Sequence, residues 1–373
     1  MKRFVFSALL LALASVSFAQ LNGDGYYRVR NYATDRYIIL CDNKGKIDVS
    51  TTSADLGAVE LWKNFSNVVS DPGSILYIQK TSSGGYRLKG QGTDTYAIIG
   101  HDLLLKQNKD GKTYKAYQTL NGNYVYLSDS ETTNVEDGVM STGYVGANYQ
   151  NWYILPVSAE ADEYFGVTPT IEMQDGSFYS SFYASFPFDF ASSGMTAYYI
   201  RLVDNDIAVI DEIKDGKVPA ATPVIIKCSS KDPSANKLNI RSNSASKITS
   251  NALKGVYFNN KWRRNRTAYN KETMRILGVN ANGELAFLSP DLDYVPANSS
   301  YLNVPAGTPS ELRILTNEEY QAETSGISSV TNGATVSEAV FTLFGVKVAD
   351  SCDELSKLPK GIYIVGGKKI INR

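Results

Sequence analysis

The sequence predicts an all-β protein built from several small modules, and three observations predict it. Aromatic β-formers are abundant, with 25 Tyr, 14 Phe and 3 Trp among 373 residues, and such side chains suit a half-buried pleated surface. Short apolar or alternating runs recur with Asn-Gly and Gly-Gly between them, which are strong short-range hairpin signals. Many of these runs fall at regular spacing, as in sandwiches and barrels.

Composition narrows the function. Hydrophobic residues make up 43% and charged residues 20%, enough apolar content for packed cores. At about 150 residues per domain, the length allows two or three domains. Lys and Arg number 37 and Asp and Glu 38, for a net charge of -1, so nothing points to a nucleic-acid partner. His101 is the one histidine of the sequence, which excludes a zinc site with two or three histidines from this chain. Cys41, Cys228 and Cys352 lie in three different segments and make no disulfide framework. They read as small core or strand-end residues.

Residues 1–19 read as an export signal. Lys2 and Arg3 precede the apolar run from Phe4 to Ala14, and Ser17-Phe18-Ala19 places small residues before a cleavage site at Gln20. The run falls short of the roughly 20 residues a membrane span needs, and no other segment is apolar enough to cross. The mature chain is therefore expected outside the cytoplasm, secreted or on the outer cell surface.

Residues 20–157 read as a first domain. Tyr26–Arg30 leads through Ala33-Thr34-Asp35 to Tyr37–Leu40. Ile75–Gln79 leads through Ser83-Gly84-Gly85 to Tyr86–Leu88, and Tyr114–Tyr117 through Asn121-Gly122-Asn123 to Tyr124–Leu127. Each pair begins about 40 to 50 residues after the last, a candidate internal repeat. Asn151–Val157 closes the segment. Between the first two pairs, Leu56, Val59, Trp62, Phe65 and Val69 take helical spacing. A helix over 53–69 is expected there, started by Thr52 and Asp55 and ended before Pro72.

Three hairpin units with a closing strand, and Gln150-Asn151-Trp152, resemble a ricin-B-type β-trefoil with its Gln-x-Trp signature. The resemblance implies that the Trp fills a repeat core and the Gln ties strands. It also implies a shallow sugar site in which an aromatic ring meets polar groups. Candidates are Asp42 and Asn43 in the first unit and Asp129 with Tyr124 or Tyr126 in the third.

Residues 161–317 read as a second domain, a β-sandwich. Phe178 to Phe188 alternates aromatic with small residues. Ala197–Val203 and Ile207–Ile210 flank an Asp204-Asn205-Asp206 turn, and Thr273–Val279 and Glu284–Leu288 flank Asn280–Gly283. Val218-Pro219 and Val295-Pro296 each precede a strand, where proline is tolerated. The phrases YSSFYASFPFDF, MTAYYI, VPAATPVIIK, NALKGVY and VPANSSYL resemble an accessory β-domain of secreted proteins from Gram-negative gut and oral bacteria. That resemblance implies location and architecture, with no activity attached.

Residues 318–333 read as a polar linker. In residues 334–373, Ala339–Val348 and Leu358–Ile370 give strand, turn, strand, and LPKGIYIVGGKKIINR resembles the C-terminal tail read by the type-nine (Por) secretion system. Secretion machinery is the partner this implies.

No catalytic set stands out. His101-Asp102 has no Gly-x-Ser-x-Gly beside it. Carboxylates are plentiful, yet none is singled out as a glycosidase pair. Asp42–Asp48 only loosely matches a calcium loop, and no phosphate loop occurs. No cofactor or metal is implied. Lys261-Trp262-Arg263-Arg264-Asn265-Arg266 is a basic cluster in a neutral chain. Trp262 offers a sugar-stacking face, and Arg263 and Arg264 offer forks for carboxylate or sulfate. The expectation is a non-catalytic protein that binds a glycan or an extracellular protein. A structural or adhesive protein without a ligand site, or a glycoside hydrolase, is the alternative.

Overall fold

A computed structural model describes residue 21 and residues 23–40, 59–62, 65–82, 86–89, 104–120, 123–129, 138–141, 146–240, 245, 247–257, 267–324, 339–342, 345–366 and 368–372. The protein is all-β, as expected, with α-helix confined among these residues to Phe65–Val68 and Asn317–Thr324. It divides into two compact units, residues 1–313 and 314–373.

The first unit opens on the strand Gly25–Asn31, which organises an eleven-stranded curled sheet. Its chief neighbour is the closing strand Asn151–Pro156, antiparallel from Tyr27↔Pro156 to Asn31↔Trp152. Strand Leu76–Lys80 pairs with its start, and Tyr37–Leu40 touches it in register at Arg30↔Tyr37. The two later hairpins form as read, Leu76–Lys80 with Tyr86–Lys89 and Tyr114–Leu120 with Asn123–Tyr126. Alternation sends Tyr27 and Val29 inward, where Val29 meets Ile38, Leu76, Ile154 and Trp152 in one core. Trp152 is fully buried, and its indole N–H donates to the Leu127 carbonyl at 3.2 Å.

Over the described part of the expected helix, residues 59–62 and 65–69, a continuous helix is not what forms. Val59–Trp62 is a strand between Tyr37–Leu40 and Gly138–Ser141, and the helix is the single turn Phe65–Val68. Val59 and Leu61 fit a period of two, while Val59 and Trp62 fit a helical one. An open strand edge at Tyr37–Leu40 supplies the ladder that decides between them. Thr52 and Asp55 lie outside the described residues. Pro72 begins a 3-10 turn whose cap is Asp71, accepting from the Gly73 N–H at 2.7 Å.

The same unit continues into a sandwich. A ten-stranded sheet and a three-stranded sheet (Phe165–Gly166, Lys237–Ile240, Phe188–Phe190) share one aromatic core. The run from Ser180 explains it, since Ser180, Phe182, Ala184, Phe186 and Phe188 are buried while Ser181, Tyr183 and Ser185 are not. Phe165, Phe186 and Phe188 meet edge to face at 5.4 to 6.5 Å, the arrangement that ring quadrupoles favour. Both predicted hairpins form, Thr196–Asp204 with Ile207–Glu212 and Met274–Val279 with Leu285–Leu288.

Sandwich and curled sheet meet around Arg28, whose side chain is fully buried. Its Nε donates to Ser74 Oγ at 3.0 Å and Nη1 to the Tyr164 carbonyl at 2.8 Å. Nη2 donates to the carbonyls of Val68 and Val69 at 3.2 and 3.3 Å. Glu163 lies 3.7 Å away, and the guanidinium rides over the Phe65 ring at 5.2 Å. Burial lowers its pKa to about 10, with Glu163 opposing, so it stays charged at neutral pH.

In the second unit, a four-stranded sheet runs Lys347–Ala349, Val340–Thr342, Gly361–Val365, Lys368–Asn372. Val340, Tyr363 and Val365 form its core. The run Ala339–Val348, expected as one strand, is a hairpin turning at Gly345, which has φ +76°. Helix Asn317–Thr324 occupies the start of the expected linker. Thr316 and Glu319 cap it reciprocally: Thr316 N–H donates to Glu319 Oε2 at 2.8 Å, and Glu319 N–H to Thr316 Oγ1 at 3.3 Å.

Candidate functional site

Of the residues expected to bind, Asp42, Asn43, Trp262, Arg263 and Arg264 lie outside the described residues, as does His101. Tyr124 belongs to strand Asn123–Tyr126 and pairs with Thr119, and its side chain is likewise outside them. Tyr126 is half-buried, with its ring 5.8 Å from that of Tyr117 and Lys115 Nζ 5.0 Å above it. Asp129 has no exposed side-chain surface. Its carboxylate pairs with Arg36 Nε at 3.3 Å and accepts the Thr34 hydroxyl, so it holds the turn 32–36 from within.

That turn carries a site the sequence reading did not single out. Asn31 Oδ1 accepts the N–H groups of Ala33 and Thr34 at 2.9 and 3.2 Å, an Asx turn. Asn31 Nδ2 donates to the Tyr149 carbonyl at 2.8 Å, and Tyr32 N–H to the Asn151 carbonyl at 2.8 Å. The turn is thus fastened to the chain just before the closing strand. Asp35 completes it with φ +57°, a left-handed conformation that Asp tolerates better than most residues.

Strand geometry then assembles the site. Arg28, Arg30 and Tyr32 alternate with the core residues Val29 and Asn31, so they share the outer face. Arg30 stands directly opposite Tyr153 and Tyr37, and its guanidinium lies 5.2 Å and 5.9 Å from those ring centres. The Tyr32 and Tyr153 rings are 5.7 Å apart, tilted by 47°. Tyr32 is 45% exposed. Asp35 Oδ1 sits 3.7 Å from Arg30 Nε, with most of its side chain in solvent. That Nε is buried and makes no hydrogen bond. Partial burial, with Tyr32 and the nearby carboxylates Asp35 and Asp110 adding to it, holds the Tyr153 phenol above its ordinary pKa. It is therefore neutral at physiological pH.

Two aromatic faces, an exposed carboxylate and a stacked guanidinium thus converge on one open surface. Ring faces take the C–H face of a sugar or an apolar side chain. Asp35 accepts from paired hydroxyls, and Arg30 donates to hydroxyl or carboxylate oxygens.

Among the described residues, no group of three or more His, Cys, Asp or Glu side chains is placed to hold a metal ion. No helix among them is long and apolar enough to cross a membrane.

No family model and no curated protein matches the chain. It is similar to a solved structure described as "Structure and mode of action of a mosquitocidal holotoxin", with a TM-score of 0.27 and 11% identity over 77% of this chain. The match covers 34% of that structure's chain, so this protein spans about a third of its length.

Proposed function

We propose that this protein is an exported, non-catalytic binding protein that holds a glycan on the Tyr32–Tyr153 platform. The observation that carries the reading is the convergence of those two rings with Arg30 and Asp35 on the outer face of the first strand. The resemblance of residues 20–157 to ricin-B-type β-trefoils supports a sugar ligand. The signal-like residues 1–19 and the tail resembling type-nine sorting signals support export to the cell surface or beyond it. The absence of a nucleophile–base set from the sequence favours contact over turnover.

The test is a glycan array and a pull-down from extracellular proteins, both with residues 20–373. Binding is expected on the array, and Tyr32→Ala and Tyr153→Ala are each expected to weaken it about tenfold without loss of fold. A folded chain that binds nothing in either assay overturns the reading in favour of a structural or adhesive role. Binding that survives both substitutions moves the site elsewhere, and turnover of a glycoside panel would make the protein a hydrolase.

A further inference from the structure

A second site lies in the first unit where curled sheet and sandwich meet. The cleft there has a volume of about 450 Å³, within the range of roughly 300–1,000 Å³ usual for small-ligand sites. Asp71 is the one charged side chain among the described residues that line it. Ile171 and Ile276 give it aliphatic walls, and hydroxyls ring it, with Ser70 Oγ and Thr168 Oγ1 2.6 Å apart. Phe182 also lines it, but is only 4% exposed, so the cleft offers no open aromatic face on which a sugar would stack.

Asp71 is well fixed. Its Oδ1 accepts from the Gly73 N–H at 2.7 Å and from Asn298 Nδ2 at 3.4 Å, across the junction. Behind it, the Arg28 cation faces two carboxylates, Asp71 and Glu163. Arg28 is thus shared between two carboxylates, in a setting where burial makes a carboxylate charge costly. Burial indeed pushes the Asp71 acid upward, against the pull of Gly73, Arg28 and Asn298.

We infer that this cleft takes a primary ammonium on an aliphatic chain, of the kind a lysine side chain presents. The methylene stem would lie along Ile171 and Ile276. The ammonium would donate to Asp71 and to hydroxyl oxygens, which accept further hydrogen bonds. An anion is disfavoured by Asp71 itself, and a neutral polyol would leave its charge uncompensated.

The probes are Nα-acetyl-lysine methylamide, the norleucine methylamide of similar shape without charge, and glucose, titrated into residues 20–373 by calorimetry. The lysine amide is expected to bind at least about tenfold more tightly than either of the others. Asp71→Asn, which keeps an acceptor for the Gly73 N–H, is expected to abolish that preference. Ala297→Trp, at the exposed rim, is expected to block the cleft while leaving Asp71 intact. Glycan binding at Tyr32 is expected to survive both variants, which separates this inference from the proposed function. Equal binding of the lysine and norleucine amides, no binding of either to a folded chain, or a preference for glucose would overturn it.

Discussion

The Arg28 guanidinium donates through Nη1 to the Tyr164 carbonyl at 2.8 Å, joining the first strand of the curled sheet to the segment that enters the sandwich. The same side chain satisfies Ser74, Val68 and Val69. Arg28→Met leaves those acceptors without their donor and Glu163 without its neighbouring cation. A loss of about 3–5 kcal/mol is expected on breaking such a buried charged network, measured by urea denaturation. Arg28→Lys keeps the charge but not the fork, and is expected to recover only part of it. Wild-type stability in the methionine variant would show that the junction does not depend on this residue.

Asp129 tests whether a residue expected at a sugar site is instead a brace. Its ion pair with Arg36 is almost wholly buried, so Asp129→Ala removes a buried carboxylate from beside a buried cation. Thermal unfolding of that variant is expected to show a loss of about 3–5 kcal/mol. Intact stability with lost glycan binding would return Asp129 to the ligand.

Asp71 gives a pH signature. Its folded pKa lies above the unfolded value, chiefly through burial. Its contribution is therefore fully favourable below the unfolded pKa and is lost as pH rises through the folded one. The melting temperature of Asp71→Asn minus that of wild type is expected to grow as pH rises from the ordinary carboxyl range toward neutrality. A flat difference would contradict the burial of this carboxyl.

Cys228 is buried in the sandwich core, and desolvation pushes its thiol up to about 12. At pH 8 it is expected to resist iodoacetamide in the folded chain, whereas the half-buried Cys352 reacts. Peptide mapping by mass spectrometry distinguishes the two, and early labelling of Cys228 would place it nearer the surface.

Much of the fold was legible because it is local. The hairpins at 76–89, 114–126, 196–212 and 274–288 declare themselves through adjacent strands and turn residues. What escaped was set by distant partners. The Val59–Trp62 strand needs Tyr37–Leu40 beside it, and the Ala339–Val348 run needed its glycine at 345 recognised as a turn. The Asn317–Thr324 helix carries its own signal in Thr316 and Glu319, a capping box set amid polar residues. The aromatic platform was half visible. Alternation in Arg28-Val29-Arg30-Asn31-Tyr32 places the two arginines and the tyrosine on one face. That Tyr153 joins them depends on a pairing across more than a hundred residues, which no local pattern states.

The alternation of that first strand has a mechanical corollary. Arg28 is clamped inside the junction, and Tyr32 stands just beyond the open end of the five residues Tyr27–Asn31, which are laddered throughout to Trp152–Pro156. A load hung on Tyr32 and drawn away along the strand axis would strain all the rungs of that ladder together, in shear, instead of peeling them one by one. Anchor and exposed ring would then be two ends of a single taut element.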